Sequence, residues 1–321
     1  MFKKINTFVT KHQLFKKDQT VIVGLSGGPD SLFLLHYLVT IKNSYNLKLI
    51  AVHLDHEWRK NSNQDVIFCK KICAEFKVPF TSKKLSELSI HIKPSGSKEQ
   101  DARKARRYFF EQIAKEHDAD AIALAQHKDD QEETFFIRLL RGASLTGLCG
   151  MWPKKGLYIR PLLTTSKKEI VTWLNKHHIN YLIDPTNISD DFLRNRIRNK
   201  LIPTINEIDP RFSGTLAKTM QRLQQTENFL KRLTIQTFDH IAQLDEKKIY
   251  IINKKDFLML DPILQYRILV HWLTKEKVPF PITQGFLDEI IRFLKQPENK
   301  IHTIAQDWHI VKKQNIFYIQ T

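Results

Sequence analysis

Residues 21–31 read VIVGLSGGPDS, and this stretch decides the fold that we expect. The apolar run from Val21 to Leu25 is typical of a strand that is buried on both faces of a parallel sheet. A glycine turn, Ser26 to Ser31, follows it, and the apolar residues within 32–41 predict a helix directly after the turn. A strand, a glycine turn and a helix N-terminus together predict a phosphate site, because backbone N–H groups converge there at the positive end of the helix dipole.

The residue types in this turn support binding rather than a plain connection. Gly27 and Gly28 allow the backbone to curl tightly, and Ser26 and Ser31 add hydroxyl donors. A carboxylate is unusual beside phosphates, so Asp30 predicts a Mg²⁺ ion between the two. The alternative is a glycine-rich turn that binds nothing. A kinase of the Walker A type is disfavoured, because no Gly-Lys-Ser/Thr follows.

Composition sets broad limits on the class of protein. The 321 residues favour two domains, and 51 Lys and Arg against 34 Asp and Glu give a net charge of +17. Such an excess favours a polyanionic partner such as nucleic acid, although a lysine-rich vocabulary across the whole proteome is an alternative. The three cysteines are too few for a disulfide framework, and Cys69 and Cys73 lack the paired spacing of a metal site.

No targeting or membrane segment is evident. Residues 1–17 lack the apolar core of a signal peptide, and no apolar run approaches the length that spans a bilayer. We therefore expect a soluble, cytoplasmic protein with no membrane partner.

Strand and helix patterns alternate along the first two thirds of the chain. This alternation predicts an α/β fold, a doubly wound parallel sheet whose ligands bind beyond the carboxyl ends of the strands. The predicted strands are 20–25, 47–54, 78–84, 119–125 and 157–160, and the predicted helices are 31–43, 62–77, 97–117, 130–141 and 166–178.

The pattern changes after Pro210, which suggests the domain organisation. An apolar stripe at helical spacing across 213–240 predicts one long helix. We expect a catalytic domain at 1–210, a linking helix at 211–242, and a small, mainly helical accessory domain at 243–321 that contacts RNA. Within the accessory domain we expect helices near 261–274 and 283–295, then β runs at 301–311 and 316–320.

Polar residues follow the second and fourth predicted strands. His53 ends the second strand, and His127, Asp130 and Glu133 follow the fourth. Asp130 and Glu133 share one helix face, and carboxylates that converge on phosphates require a cation. We predict that Asp130 holds Mg²⁺ together with Asp30, although simple capping of the helix by acidic residues is an alternative.

Two basic segments are candidates for contact with RNA. Arg103 and Arg106 lie beside aromatic residues on one predicted helix, and Arg194 and Arg198 lie one helical turn apart on another. Guanidinium groups suit phosphate contacts, but solvated charged faces would have the same composition.

Taken in order, these motifs resemble those of the tRNA(Ile)-lysidine synthetases, a family within the PP-loop ATP pyrophosphatases. The resemblance covers roughly residues 19–210, and the chain beyond them is similar only to the shorter members, which lack an extra C-terminal domain. The matching motifs are Ser26–Ser31, Ala51–His56, Ala102-Arg103-x-x-Arg106, Ala125-x-His127-x-x-Asp130-x-x-Glu133-Thr134, Leu140-Arg141-Gly142, Arg160–Leu163, Asp184-x-x-Asn187 and Arg194-Asn195-x-Ile197-Arg198.

The resemblance implies a fold similar to that of adenine-nucleotide hydrolases and a ligase that acts in two steps. ATP would adenylate the oxygen on carbon 2 of the wobble cytidine in the isoleucine tRNA with a CAU anticodon, and pyrophosphate would leave. Free L-lysine would then attack that carbon through its ε-amine and expel AMP. The amine must lose a proton, and a nearby carboxylate or His127 is the expected acceptor. A homodimer is among the assemblies that the resemblance implies.

The resemblance also assigns roles to residues. It implies ATP binding by Ser26, Gly27, Gly28, Pro29, Asp30, Ser31 and His53; catalysis by Asp30, His127, Asp130 and Glu133; and binding of tRNA or lysine by Arg103, Arg106, Arg141, Asn187, Arg194, Asn195 and Arg198. Two rival functions stay open: thiolation of tRNA by a related enzyme, which usually employs cysteines, and a non-catalytic RNA-binding module.

Overall fold

The fold is taken from a computed structural model, which describes residues 1–58, 62–90, 98–183, 192–278 and 283–321. The chain forms two compact units, Met1–Met220 and Gln221–Thr321. Within the described ranges, no helix is both long and apolar enough to cross a membrane.

The first unit is built on a six-stranded sheet. Its strands are β1 (Thr20–Gly24), β2 (Lys48–Asp55), β3 (Phe80–Lys84), β4 (Ala121–Ala123), β5 (Lys154–Lys155) and β6 (Tyr158–Ile159). They lie in the order β3-β2-β1-β4-β6-β5, and every pairing is parallel except that of β5 with β6. The predicted doubly wound parallel sheet is thus confirmed, and the short antiparallel β5 is an addition.

Helices pack on both faces of this sheet: α1, α2, α3 and α7 contribute to the core on one face, and α4 contributes to the core on the other. The helices as far as the boundary between the units, which lies within the last of them, are α1 (Phe2–Lys11), α2 (Pro29–Tyr45), α3 (Ser62–Glu75), α4 (Lys98–Glu116), α5 (Lys128–Leu140), α6 (Leu145–Leu148), α7 (Lys167–Lys176), α8 (Leu193–Arg196), α9 (Ile202–Ile208) and α10 (Phe212–Ile241). Ile197–Leu201 form a π-helical turn between α8 and α9.

The two faces of β1 explain its unbroken apolar sequence. Val21 and Val23 pack into a core that includes α2, whereas Ile22 packs into a second core with Phe109 of α4. Gly24 is required at the end of the strand, because a Cβ there would lie 2.8 Å from the Phe110 ring. The strand is therefore buried on both faces up to its end, and the glycine turn begins directly after it.

The second unit combines helices with an antiparallel sheet. Its elements are the rest of α10, α11 (Lys254–Leu258), α12 (Pro262–Lys275), α13 (Gln284–Lys295), β7 (Ala242–Leu244), β8 (Tyr250–Asn253), β9 (Lys300–Ala305), β10 (Trp308–Lys313) and β11 (Ile316–Gln320). The five strands lie in the order β7-β8-β11-β10-β9. The run predicted at 301–311 is divided between β9 and β10 by a turn at Gln306 and Asp307, and β7 and β8 were not predicted.

Candidate active site

The glycine turn after β1 is held in a defined conformation by its own residues. Gly27 has a φ of +78°, and Gly28 is the N-cap of α2, with Pro29 as its first residue. Ser31 Oγ accepts a hydrogen bond from the Ser26 N–H at 3.1 Å and donates to the Gly28 carbonyl at 3.0 Å. The two serine hydroxyl oxygens lie 3.1 Å apart. The serines therefore hold the turn closed, a role in addition to the predicted one as phosphate donors.

Leu182 packs against the outside of this turn. Its N–H donates to the Gly27 carbonyl at 3.0 Å, and a Cβ on Gly27 would lie 2.6 Å from Leu182 Cδ1. Both the positive φ and this close contact require glycine at position 27.

Asp30, in the first turn of α2, is paired with a cation that sequence reasoning missed. Lys167 Nζ lies 2.8 and 2.7 Å from the two Asp30 carboxylate oxygens. Burial would raise the pKa of Asp30, but hydrogen bonding and the positive charges of His127 and Lys167 outweigh it and lower that pKa. A sequence signal existed: Ser166-x-x-Glu169 is a capping box, so Lys167 opens a helix after the fifth predicted strand.

His127, the N-cap of α5, lies among three aspartates. Its Nε2 is 3.7 Å from Asp30 Oδ2 and 3.6 Å from Asp130 Oδ2, and its Nδ1 is 3.4 Å from Asp129 Oδ2. Burial alone would lower the pKa of His127, but the interactions with Asp129 and Asp30 and the charge of Asp130 raise it to about 10. The carboxylates around the imidazole therefore favour its protonated form.

Asp130 and Glu133 are both held by arginines. Asp130 Oδ2 accepts a hydrogen bond from the backbone N–H of His127 at 2.9 Å, while Asp130 Oδ1 accepts one from Arg194 Nη2 at 2.6 Å. Glu133 is fully buried, and its two oxygens each lie 2.6 Å from a guanidinium Nε, one of Arg194 and one of Arg198. The alternative role of Asp130, capping of α5, thus occurs through Oδ2, while Oδ1 pairs with Arg194.

The arginines expected in an RNA-contacting patch therefore lie beside the acids expected in catalysis. Arg194 belongs to α8 and Arg198 to the π-helical turn that follows it. Asn195, between them, is buried rather than exposed. Sequence reasoning identified each group but not their pairing.

The predicted Mg²⁺ ligands, Asp30 and Asp130, already contact two protein cations, Lys167 and Arg194. Among the residues described, no cluster of three or more His, Cys, Asp or Glu is arranged to hold a metal ion. Asp30 and Asp130 nevertheless both lie within 3.7 Å of the same His127 nitrogen, so their carboxylates are neighbours. Mg²⁺ in nucleotide sites commonly uses one or two carboxylates together with phosphate oxygens and water.

Further polar residues line the same edge of the sheet. His53 is buried at the end of β2, and its Nδ1 lies 2.9 Å from the Leu25 carbonyl at the base of the glycine turn. Burial lowers the pKa of His53. Arg160 is also buried, and its Nη1 donates to the Trp152 carbonyl at 3.0 Å. Burial, followed by the positive charges of Arg103 and Arg107, lowers the pKa of Arg160 to about 10.

One predicted site residue is not brought into this cluster, and another cannot be placed. Arg141 is exposed at the C-terminal end of α5, and a helical rise over the eleven residues from Asp130 puts it about 16 Å away along the axis. Asn187 lies outside the residues that the structure describes.

Comparison with known proteins gives concordant matches. A family model described as a PP-loop domain matches residues 1–205. The tRNA(Ile)-lysidine synthase of Bacillus cereus is 31% identical over 304 residues, which cover 92% of this chain and 64% of that protein. The tRNA(Ile)-lysidine synthase of Bacillus subtilis is 34% identical over 298 residues, which cover 89% and 63%. The chain thus spans somewhat less than two thirds of the length of these curated relatives.

A solved structure has a similar fold. The U34-tRNA thiolase NcsA from Methanococcus maripaludis, determined with its [4Fe-4S] cluster, superposes with a TM-score of 0.59 at 18% identity. The match covers 70% of this chain and 78% of the thiolase. At this identity the likeness concerns the fold.

Proposed function

This chain belongs to the PP-loop family, and from that premise we propose that it is an ATP-dependent ligase that makes lysidine in tRNA. The proposed reaction joins lysine to carbon 2 of the wobble cytidine in the isoleucine tRNA with a CAU anticodon. The observation that carries the proposal is the convergence of three groups at one sheet edge: the glycine turn, the Asp30–Lys167 pair, and the carboxylates of Asp130 and Glu133 with their arginines.

In the first step, the cytidine oxygen attacks the α-phosphorus of ATP. A bond forms between that oxygen and phosphorus, the bond to the β-phosphate oxygen breaks, and pyrophosphate leaves with the electron pair. Backbone N–H groups of the glycine turn, the Lys167 ammonium and the His127 imidazolium are suited to bind the developing negative charge. Asp30 and Asp130 would hold Mg²⁺, which neutralises phosphate charge when bound.

In the second step, the lysine ε-amine attacks carbon 2 and AMP leaves. Free lysine carries an α-ammonium and an α-carboxylate group in addition to its ε-amine, so its binding site must offer both signs of charge. Asp130 and Arg194 offer both signs within a hydrogen-bond distance of one another, while the buried Glu133 carboxylate positions Arg194 and Arg198. Asp130 is the better candidate for the proton acceptor, because the surrounding carboxylates favour the protonated form of His127.

The rival thiolation chemistry is disfavoured by the cysteines. Cys69, Cys73 and Cys149 are all buried. Burial raises the pKa of the Cys69 and Cys73 thiols to about 12, so neither is a ready thiolate. A purely RNA-binding module would not require three carboxylates around a phosphate loop.

A lysine-incorporation assay tests the proposal. The protein is incubated with ATP, Mg²⁺, labelled lysine and the isoleucine tRNA with a CAU anticodon. We expect label in the tRNA together with stoichiometric AMP and pyrophosphate. The matched control is the same tRNA with uridine in place of the wobble cytidine, which should take up no label. Absence of label from the first tRNA, or incorporation of sulfur instead, would refute the proposal.

A further inference from the structure

The chain that follows β2 carries an exposed tryptophan on a fixed support. Trp58 is 53% exposed, and its ring is stacked on that of His56, with the centroids 5.1 Å apart and the planes inclined by 27°. One face of the indole packs on the imidazole, and about half of the residue's surface stays accessible.

His56 is itself held in place by a guanidinium. Arg106 Nη2 lies 2.9 Å from His56 Nε2. Burial and the charge of Arg106 lower the pKa of His56 to about 4, so the ring is neutral at physiological pH and accepts this hydrogen bond. Arg106 thereby fixes the imidazole on which the indole rests.

The backbone beneath the tryptophan is also preset. Glu57 has a φ of +56°, and its N–H donates to Asp55 Oδ1 at 2.8 Å. Asp55 Oδ2 accepts from the Ser62 hydroxyl at 3.0 Å, and Glu57 Oε2 accepts the Ser86 N–H at 2.9 Å. These bonds fix Asp55 and Glu57, which precede Trp58, and so reduce the cost of ordering the backbone on which the tryptophan is carried.

We propose that Trp58, supported by His56 and Arg106, is a stacking platform for an unpaired base of the anticodon loop. The identity of the RNA rests on the proposed function. Aromatic rings beside guanidiniums are typical of proteins that bind single-stranded RNA, in which splayed bases stack and phosphates pair with arginine.

Trp58 lies near the edge of the sheet that also carries the glycine turn. Val52 of β2 is level with Gly24, which precedes that turn, and the strand ends at Asp55. Trp58 follows three residues later, and the positive φ of Glu57 turns the chain between them. A tRNA that crosses this edge can stack an unpaired base on Trp58 while its wobble base enters the site, and the adenine of ATP is the rival occupant that the binding test distinguishes.

Direct binding measurements test the platform. The full chain and the variants Trp58→Ala, Trp58→Phe and Ile67→Ala are titrated into a labelled anticodon stem-loop at fixed salt, and into ATP separately. Ile67 is the control, since it is an exposed apolar side chain on α3, 60% exposed. We expect Trp58→Ala to weaken stem-loop binding by roughly 5- to 150-fold, Trp58→Phe to retain most of the affinity, and Ile67→Ala to change nothing.

Each other result overturns the inference. Stem-loop affinity within twofold of wild type in Trp58→Ala would mean that no base stacks there. A loss of ATP affinity in place of RNA affinity would assign the ring to adenine. These titrations need no turnover, so they remain decisive for the platform even if the wild-type protein incorporates no lysine.

Discussion

Arg194 Nε lies 2.6 Å from Glu133 Oε2, and the Glu133 carboxylate is completely buried. Arg198 contacts the other oxygen of the same carboxylate. The arrangement ties α5 to the segment that contains α8, so the basic groups and the acidic groups of the site are positioned by each other. Removing one partner would leave buried charge without compensation, which costs more than the pair itself contributes.

We expect Glu133→Gln to destabilise the protein by about 3 kcal/mol, the low end for breaking a buried pair, since Arg198 is 37% exposed. The measurement is urea unfolding followed by circular dichroism. Lysine incorporation should also fall, because Arg194 would lose one of the two carboxylates that position it. The matched control is Glu132→Gln, at a neighbouring buried carboxyl whose pKa burial raises, so that neutralising it costs little. Equal destabilisation by both variants would contradict a specific role for the arginine pair.

The glycine turn offers a second matched comparison. Gly27→Ala should abolish ATP binding and lower stability, because alanine disfavours a φ of +78° and its Cβ would clash with Leu182. Gly28→Ala should be tolerated, since Gly28 has a φ of −71° and the nearest atom to an added Cβ is 3.5 Å away. Calorimetric titration with ATP measures both. Wild-type affinity in Gly27→Ala, or its loss in Gly28→Ala, would show that the turn is not shaped as described.

The charge state of His127 predicts a pH dependence with a definite sign. Its pKa rises from 6.5 to about 10 on folding, so the folded state holds an extra proton between these values. This contribution to stability is complete below pH 6.5 and is lost as pH rises towards 10, with a slope of at most about 1.4 kcal/mol per pH unit. The free energy of unfolding of the wild type should therefore fall more steeply from pH 7 to pH 10 than that of His127→Gln. Parallel curves would mean that the imidazole is neutral in the folded protein.

Local patterns in the sequence were enough to predict the sheet and the glycine turn. The unbroken apolar run of β1 and the helical spacing after Ser31 are signals carried by residues close together in the sequence. The structure confirms the parallel sheet that they imply. Short strands such as β5 and β7 carry too few residues for a periodic signal.

The pairing of site residues could not be predicted in the same way. Glu133 and Arg194 are 61 residues apart, and Asp30 and Lys167 are 137 apart, so no spacing rule in a single sequence connects them. Their positive charge alone suggested that the arginines face RNA. In the structure, Arg194 and Arg198 instead point towards the buried carboxylate of Glu133. Only the packing of α5 against α8 and the π-helical turn establishes that contact.

Lys167 provides the last test, because its ammonium lies against Asp30 beside the glycine turn. In Lys167→Met the Asp30 carboxylate loses its closest cation and keeps the contact with His127, and the leaving pyrophosphate loses one source of positive charge. We expect tRNA-dependent exchange between ATP and pyrophosphate to fall about 100-fold, as for loss of one preorganised donor at a developing charge. Binding of the anticodon stem-loop should be unchanged. Lys168→Met is the control, since Lys168 is the next residue of α7 and is exposed. If both variants lost exchange equally, or if Lys167→Met lost stem-loop binding instead, Lys167 would act as part of a basic surface and not at the phosphates.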